Sequence, residues 1–93
     1  MKVKHITFPS TGNYYTLGKG ENLLYVLHGY RQLARFFIKK FEALQDRYTI
    51  VAPEGLHRFY LQGTSGRVGA SWMTKEERET DIDNYLNFLN SLH

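Results

Sequence analysis

Short segments in the first quarter of the chain alternate between apolar and polar residues, a pattern that predicts β-strands. In residues 5–8, Ile6 and Phe8 lie two positions apart, on one face of the predicted strand. Residues 14–17 are rich in tyrosine and threonine, which favour strands. Residues 9–13 contain proline, glycine and asparagine, which are typical of turns. The pattern therefore predicts an antiparallel β-hairpin at the edge of a sheet.

The next two hydrophobic segments enclose an amphipathic stretch. Residues 23–27, from Leu23 to Leu27, are apolar at every position, which is typical of a strand covered on both faces in a parallel sheet. Residues 48–52 predict a second strand of this kind. Residues 33–46 predict a helix with one apolar stripe, formed by Leu33, Phe36, Phe37, Phe41 and Leu44. The order strand, helix, strand predicts a parallel βαβ unit.

The remainder of the chain predicts a long loop and a final helix. Residues 54–73 contain four glycines together with Phe59, Tyr60 and Trp72, and a loop of this length in a small domain is either functional or a sign that the assignment is wrong. We expect a functional loop, because its aromatic side chains would be costly to leave uncovered. Thr74 and Glu77 then have the spacing of a helix capping box. The apolar stripe of this helix is formed by Ile82, Tyr85, Leu86, Leu89 and Leu92. We therefore predict an α/β fold in a single domain, residues 1–93.

The composition narrows the class of protein. Of the 93 residues, 42% are hydrophobic and 15% aromatic, which argues against a disordered chain. Cysteine is absent, which excludes a disulfide scaffold and a cysteine-ligated zinc site. The apolar run of residues 23–27 is far shorter than the ~20 residues of a membrane span, and no signal peptide is visible. We therefore expect a cytoplasmic protein without a membrane span.

The charge pattern gives little support for a nucleic-acid partner or a metal site. Twelve lysines and arginines oppose nine acidic residues, and the cations are scattered along the chain with no continuous block. We expect no nucleic-acid partner, although salt-dependent DNA binding would support that rival interpretation. The acidic group is best explained by electrostatics at a helix start and by a solvated helix face; it comprises Glu76, Glu77, Glu79, Asp81 and Asp83. We predict no metal.

The clearest chemical signal is the sequence that follows the first apolar strand. His28 and Gly29 end this strand and lead into the predicted helix. In open α/β sheets, ligand sites lie at the carboxyl ends of the strands. Backbone N–H groups of such a loop can donate to a developing oxyanion, and a glycine lets the main chain approach a ligand closely. A tight turn that requires glycine and has no chemical role is the alternative.

Four short motifs stand out in the chain: Leu27-His28-Gly29-Tyr30, Val51-Ala52-Pro53-Glu54-Gly55, Phe59-Tyr60 and Gly69-Ala70-Ser71-Trp72-Met73. Together they resemble the amino-terminal half of an α/β-hydrolase of the carboxylesterase and phospholipase-like group. Each motif is modest by itself, whereas their order and spacing are fairly specific. The resemblance covers the chain from about residue 23 to its end. It implies a sheet whose strands follow the order first, second, fourth, third and fifth.

The resemblance also implies roles for individual residues. Tyr30 or its neighbour Arg31 would donate a backbone N–H to the oxyanion hole, while His28 and Gly29 would support the loop. Relatives often have a small residue, commonly glycine, at the position of Arg31, whose guanidinium either favours anionic substrates or points to solvent. Phe59, Tyr60 and Trp72 would line the substrate pocket, with loop packing as the alternative. The substrate would be a small ester, and no cofactor would be needed.

The catalytic triad of this family is not recognisable in the chain. Its nucleophile lies in a G-x-S-x-G motif, and the segments that begin at Gly63 and Gly69 both lack the closing glycine. We therefore interpret Ser71 as a loop serine and expect the Ser, Asp and His of the triad beyond His93. We interpret His5, His57 and His93 as surface histidines, with His57 lacking a nearby acid.

The chain by itself is accordingly predicted to be inactive. The parent activity would be carboxylic-ester hydrolysis, and the alternative is a small non-catalytic interaction module derived from the same fold. If the strand at residues 23–27 lies at an open sheet edge, its apolar surface favours self-association through that edge.

Overall fold

A three-stranded sheet with a helical crossover packed on it forms the larger part of the fold. The computed structural model describes residues 1–63, 65–73 and 76–92. Its elements are strands β1 (Tyr14–Leu17), β2 (Asn22–Tyr25), β3 (Tyr48–Pro53), β4 (His57–Gln62) and β5 (Ser65–Ser71), helices α1 (Ala34–Phe37) and α2 (Arg78–Leu92), and a 3₁₀ segment (Ile38–Leu44) that continues α1. The fold is therefore α/β, as the sequence predicts.

The larger sheet contains the predicted parallel βαβ unit. Its strands follow the order β1-β3-β2, with β2 parallel and β1 antiparallel to β3. Leu24 lies beside Ile50 in the parallel pair, and α1 with the 3₁₀ segment forms the crossover.

The predicted hairpin between residues 5–8 and 14–17 is wrong. Residues 1–13 have no regular secondary structure, and β1 pairs with β3 instead. The reason is burial: Tyr15 and Leu17 pack against the hydrophobic core in this register, whereas Ile6 and Phe8 remain exposed. The buried strand β3 thus offers β1 a better partner than the polar N-terminal segment does.

The hydrophobic core lies between one face of this sheet and the helical crossover. Ile50 and Ala52 of β3 project from the sheet, and Ala34 and Ile38 project from the helices toward them. Val26, one residue beyond β2, completes the buried cluster. Ile50 and Ala52 alternate with Val51 and Pro53, which are buried on the other face of β3, so the central strand is covered on both faces.

Strand β2 is covered on one face and not on both, which corrects the prediction for residues 23–27. Leu24 and Val26 face the core, whereas Leu23 is 60% exposed and Leu27 is 52% exposed. Helix α2 reaches this second face at its end, where the Tyr25 hydroxyl donates to the carbonyl oxygen of Leu92 at 3.4 Å. Strand β2 is also an edge strand of the described sheet, so self-association through this edge stays a prediction.

Strands β4 and β5 form a second small sheet where the sequence predicts a loop. Strands β4 and β5 pair in antiparallel fashion, with Arg58 beside Ala70 and Phe59 beside Gly69. Exposure alternates along β4, which is the pattern of a strand with one covered face. Gly63 and Gly66 have positive φ values of 71° and 88°, which explains why glycines are present at this turn.

Helix α2 confirms the predicted final helix, although it begins at Arg78. The predicted cap at Thr74 lies outside the described residues. In the described ranges, which omit residues 64, 74, 75 and 93, no helix combines the length and the apolar character that a bilayer crossing requires.

Candidate functional site

The loop between β2 and α1 contains the residues that the sequence analysis singled out. We call residues 28–33 the His28 loop. It begins beside the carboxyl ends of the parallel strands β2 and β3, and α1 follows it directly. In open α/β sheets this is the edge at which ligand sites form.

His28 supports the beginning of the loop through its buried imidazole ring. The ring Nε2 accepts a hydrogen bond from the Gly55 N–H at 2.9 Å, and Nδ1 lies 2.7 Å from the carbonyl oxygen of Gly29. Because Nε2 acts as an acceptor, the neutral ring carries its proton on Nδ1 and donates it to Gly29. Both ring nitrogens are thus occupied, and His28 has no free nitrogen with which to act as a base.

Trp72 holds the same residue from the other side. Its indole ring stacks on the His28 ring at a centroid distance of 5.2 Å, and its Nε1–H donates to the His28 carbonyl oxygen at 3.1 Å. The Tyr85 ring meets the indole edge-on at 6.0 Å. Trp72 therefore packs between His28 and helix α2.

Strand β5 holds the middle of the loop. The Arg31 N–H donates to the Ala70 carbonyl oxygen at 3.0 Å, and the Ala70 N–H donates to the Gln32 carbonyl oxygen at 3.0 Å. This close approach depends on Gly69, where a Cβ atom would lie 2.4 Å from the Arg31 carbonyl oxygen. A single antiparallel bridge between Gln32 and Ala70 thus joins the loop to β5.

Among the amides of residues 29–32, one backbone N–H has no acceptor in the described part of the chain. The Gly29 N–H donates to Oε1 of Gln32 at 2.7 Å, and the Gln32 N–H donates to the Gly29 carbonyl oxygen at 3.3 Å. Between residues 29 and 32, only the Tyr30 N–H has no acceptor in the described part of the chain. Arg31 cannot be the donor in this conformation, because its N–H already binds Ala70.

Arg31 also adopts an unusual backbone conformation. Its φ of 71° lies in the left-handed region, where a side chain is strained and glycine is not. A glycine would therefore suit this position better than an arginine does. The guanidinium side chain is exposed.

We expect Arg31→Gly to raise the free energy of unfolding by about 0.5 kcal/mol. Removing the Cβ relieves about 1 kcal/mol of strain, and the greater flexibility of glycine in the unfolded chain offsets part of that gain. Urea unfolding followed by circular dichroism measures the change. Arg35→Gly is the matched control: Arg35 lies inside α1, so the same substitution should be destabilising there. Equal losses at both positions would contradict the strain argument.

The three aromatic residues predicted for the pocket do not meet at one place. Phe59 is partly buried, and its ring contacts that of Tyr30 at a centroid distance of 5.5 Å. Tyr60, the next residue along β4, faces the opposite side of the hairpin and is 51% exposed. Of the three, Phe59 is the residue whose ring contacts Tyr30, the residue with the free amide.

His57 lies in contact with Asp81, although the sequence analysis predicts no acid near this histidine. His57 Nε2 lies 2.9 Å from Oδ1 of Asp81, and the Asp81 side chain is buried, which corrects both the isolated surface histidine and the solvated acid predicted at these positions. Ser71 lies opposite His57 in the β4–β5 register. Its hydroxyl, however, donates to the Met73 carbonyl oxygen at 2.6 Å, and the residue is only 4% exposed. This arrangement does not offer Ser71 as a nucleophile to a substrate.

His5 has an acid within reach as well. Its Nε2 lies 3.7 Å from Oε1 of Glu77, and both side chains are largely exposed. At this distance in solvent, the pair contributes little to stability.

Glu54 is a residue of the site for which the sequence analysis assigned no role. It follows β3 directly, is 4% exposed, and accepts hydrogen bonds from the Ala34 N–H at 3.3 Å and from Nε of Arg58 at 3.0 Å. Its acidic side chain directly after a buried strand was the available signal, because a buried carboxylate requires partners.

Comparisons of this chain with protein-family models, with curated proteins and with solved structures found no match.

Proposed function

We propose that this chain supplies the oxyanion-binding loop of a serine carboxylic-ester hydrolase of α/β-hydrolase type, with a small ester as the substrate. The observation that carries the proposal is the Tyr30 N–H. It is a free donor in a loop whose neighbouring amides at residues 29, 31 and 32 are all bonded. Since these bonds fix the loop, the donor is held in one orientation before any ligand binds, which is what electrostatic stabilisation of a transition state requires.

The position of the loop in the sheet supports the same proposal. The loop follows a parallel strand and precedes a helix, at the carboxyl edge where α/β folds bind ligands. The order of β1, β3 and β2 agrees with the order that the resemblance implies. The Phe59 ring contacts the side chain of Tyr30, and this apolar surface on the donor residue suits the acyl or alcohol group of an ester.

The chemistry assigned to the loop is the stabilisation of a tetrahedral intermediate. When a serine attacks an ester, negative charge develops on the carbonyl oxygen, and a backbone N–H within about 3 Å stabilises it. In α/β-hydrolases, the second donor is the N–H of the residue that follows the nucleophile. The printed sequence contains no G-x-S-x-G motif, so the nucleophile of this proposal is not one of these 93 residues.

Hydrolysis of p-nitrophenyl acetate and butyrate by the product of the complete reading frame tests the proposal. We expect turnover that a serine-reactive phosphonate abolishes, and no turnover by the 93-residue chain. Tyr30→Ala should retain kcat within about tenfold, because the donor is the backbone N–H, which alanine keeps. A product with neither turnover nor phosphonate labelling would contradict the proposal.

A non-catalytic interaction module is the second candidate, and the exposed apolar face of β2 favours it. Leu23 on the edge strand and Leu27, two residues beyond it, are largely exposed, as expected of a surface that binds another polypeptide. A reading frame that ends after His93, together with no ester hydrolysis, would favour this candidate over the enzyme.

A further inference from the structure

Two consecutive residues after β3 hold the two ends of the His28 loop. The Gly55 N–H binds the His28 ring at the beginning of the loop, and the Glu54 carboxylate binds the Ala34 N–H where the loop enters α1. The Glu54 N–H in turn donates to the Asn13 carbonyl oxygen at 2.9 Å, which fixes Glu54 beside β1. The loop is therefore anchored at both ends to one short stretch of backbone.

The second carboxylate oxygen of Glu54 connects this anchor to the β4–β5 sheet. Oε2 accepts a hydrogen bond from Nε of Arg58 at 3.0 Å. Arg58 pairs in register with Ala70, and Ala70 binds the backbone of Arg31 in the middle of the loop. The contacts form a closed ring that runs from Glu54 through α1 and the loop to β5, and back through Arg58.

A buried carboxylate in this position needs a reason, because desolvation of a charge is costly and a hydrophobic residue of similar size often stabilises as well or better. Glu54 is buried, while half of the Arg58 side chain remains exposed, so their attraction is partly screened by solvent. A carboxylate has one property that apolar residues lack: it accepts hydrogen bonds from two different elements at once.

We propose that Glu54 is the positioning residue of the His28 loop, and that it sets the direction of the free Tyr30 N–H by joining the start of α1 to the β4–β5 sheet. The catalytic meaning of that N–H rests on the proposed function. The positioning itself does not, since every contact in the ring lies within this chain. The inference thus makes one prediction about backbone dynamics and a separate one about hydrolysis.

Amide hydrogen exchange of the ¹⁵N-labelled 93-residue chain tests the positioning role. We expect Glu54→Ala to speed exchange at the Ala34 and Arg31 amides at least about tenfold more than at Ile50, whose amide in β3 reports global opening. Glu54→Gln keeps one acceptor and should leave Ala34 protected while exchange at Arg31 rises. Glu42→Gln, an exposed acid on the 3₁₀ segment, is the matched control and should change none of these rates.

A parallel change at all three amides would show that Glu54 contributes only to global stability, and would overturn the inference. If Glu54→Ala does not fold, Glu54→Gln and Arg58→Gln decide the matter, since both leave the Ala34 acceptor in place. Both variants should then speed exchange at the Arg31 amide without a matching change at Ile50. Unchanged exchange at the Arg31 amide would overturn the inference as well.

Hydrolysis by the product of the complete reading frame separates the two proposals. There we expect Glu54→Gln to lower kcat about tenfold with KM within about twofold, because misorientation of a donor weakens the transition state more than substrate binding. If no hydrolysis is found, the proposed function fails while the exchange result stands. If hydrolysis is found and kcat does not change, the positioning inference fails by itself.

Discussion

His28→Ala is expected to lower the free energy of unfolding by about 3 kcal/mol, because the substitution leaves the buried Gly55 N–H without a partner and removes a buried ring. The Gly55 N–H loses its acceptor and the Gly29 carbonyl oxygen loses a donor. Trp72 also loses the ring on which it stacks. Since the ring is 3% exposed, the alanine variant leaves a cavity that the loop must collapse to fill.

Urea or thermal unfolding of the 93-residue chain measures this loss. His5→Ala is the matched control, because His5 is exposed and its contact with Glu77 at 3.7 Å is weak, so the change should stay within about 0.5 kcal/mol. A loss below about 1 kcal/mol for His28→Ala would contradict the hydrogen-bonded role assigned to the ring.

Gly69→Ala is expected to lower the free energy of unfolding by about 2–3 kcal/mol, although it adds a single methyl group. That methyl group would lie 2.4 Å from the Arg31 carbonyl oxygen, a backbone atom with little freedom to move. The loop and β5 must then separate, which breaks the two hydrogen bonds between Ala70 and residues 31 and 32. We therefore expect the loss to be accompanied by faster hydrogen exchange at the Arg31 amide.

Gly29→Ala is the matched control for Gly69→Ala. A methyl group at Gly29 would meet the Oε1 of Gln32 at 3.2 Å, and this side chain can move aside. Gly29→Ala should therefore lower the free energy of unfolding by less than about 1 kcal/mol. Equal losses at the two glycines would show that chain flexibility, and not the approach of β5 to the loop, determines the effect at Gly69.

The part of the fold that the sequence predicts correctly is the part with continuous apolar segments. The parallel unit built from β2, the crossover and β3 has a strong hydrophobic pattern, and that pattern depends only on local sequence. Strands β4 and β5 were not predicted, because the glycines of this segment are typical of a loop. Exposed and partly buried residues nevertheless alternate along β4. The exposure of Leu23 and Leu27 could not be predicted, because a strand pattern does not say what covers its second face.

The sequence indicates which loop forms the candidate site, but not which of the loop's backbone groups are bonded and which are free. His28 and Gly29 mark the loop, since a histidine and a glycine directly after an apolar strand are a local signal. Which amide stays free depends on Ala70, almost forty residues away, and on the rotamer of Gln32. The contact between His57 and Asp81 likewise joins two elements whose approach no local pattern indicates.

Trp72 gives the His28 loop an internal optical probe. It is the single tryptophan of the chain, and it is stacked on His28 with its indole N–H bonded to that residue's carbonyl oxygen. Its emission wavelength and quenching therefore respond to the state of one loop, without a label and without interference from a second indole. Displacement of the loop would expose the ring to water and shift its fluorescence to the red, so ligand binding can be followed at micromolar protein concentration in a simple titration.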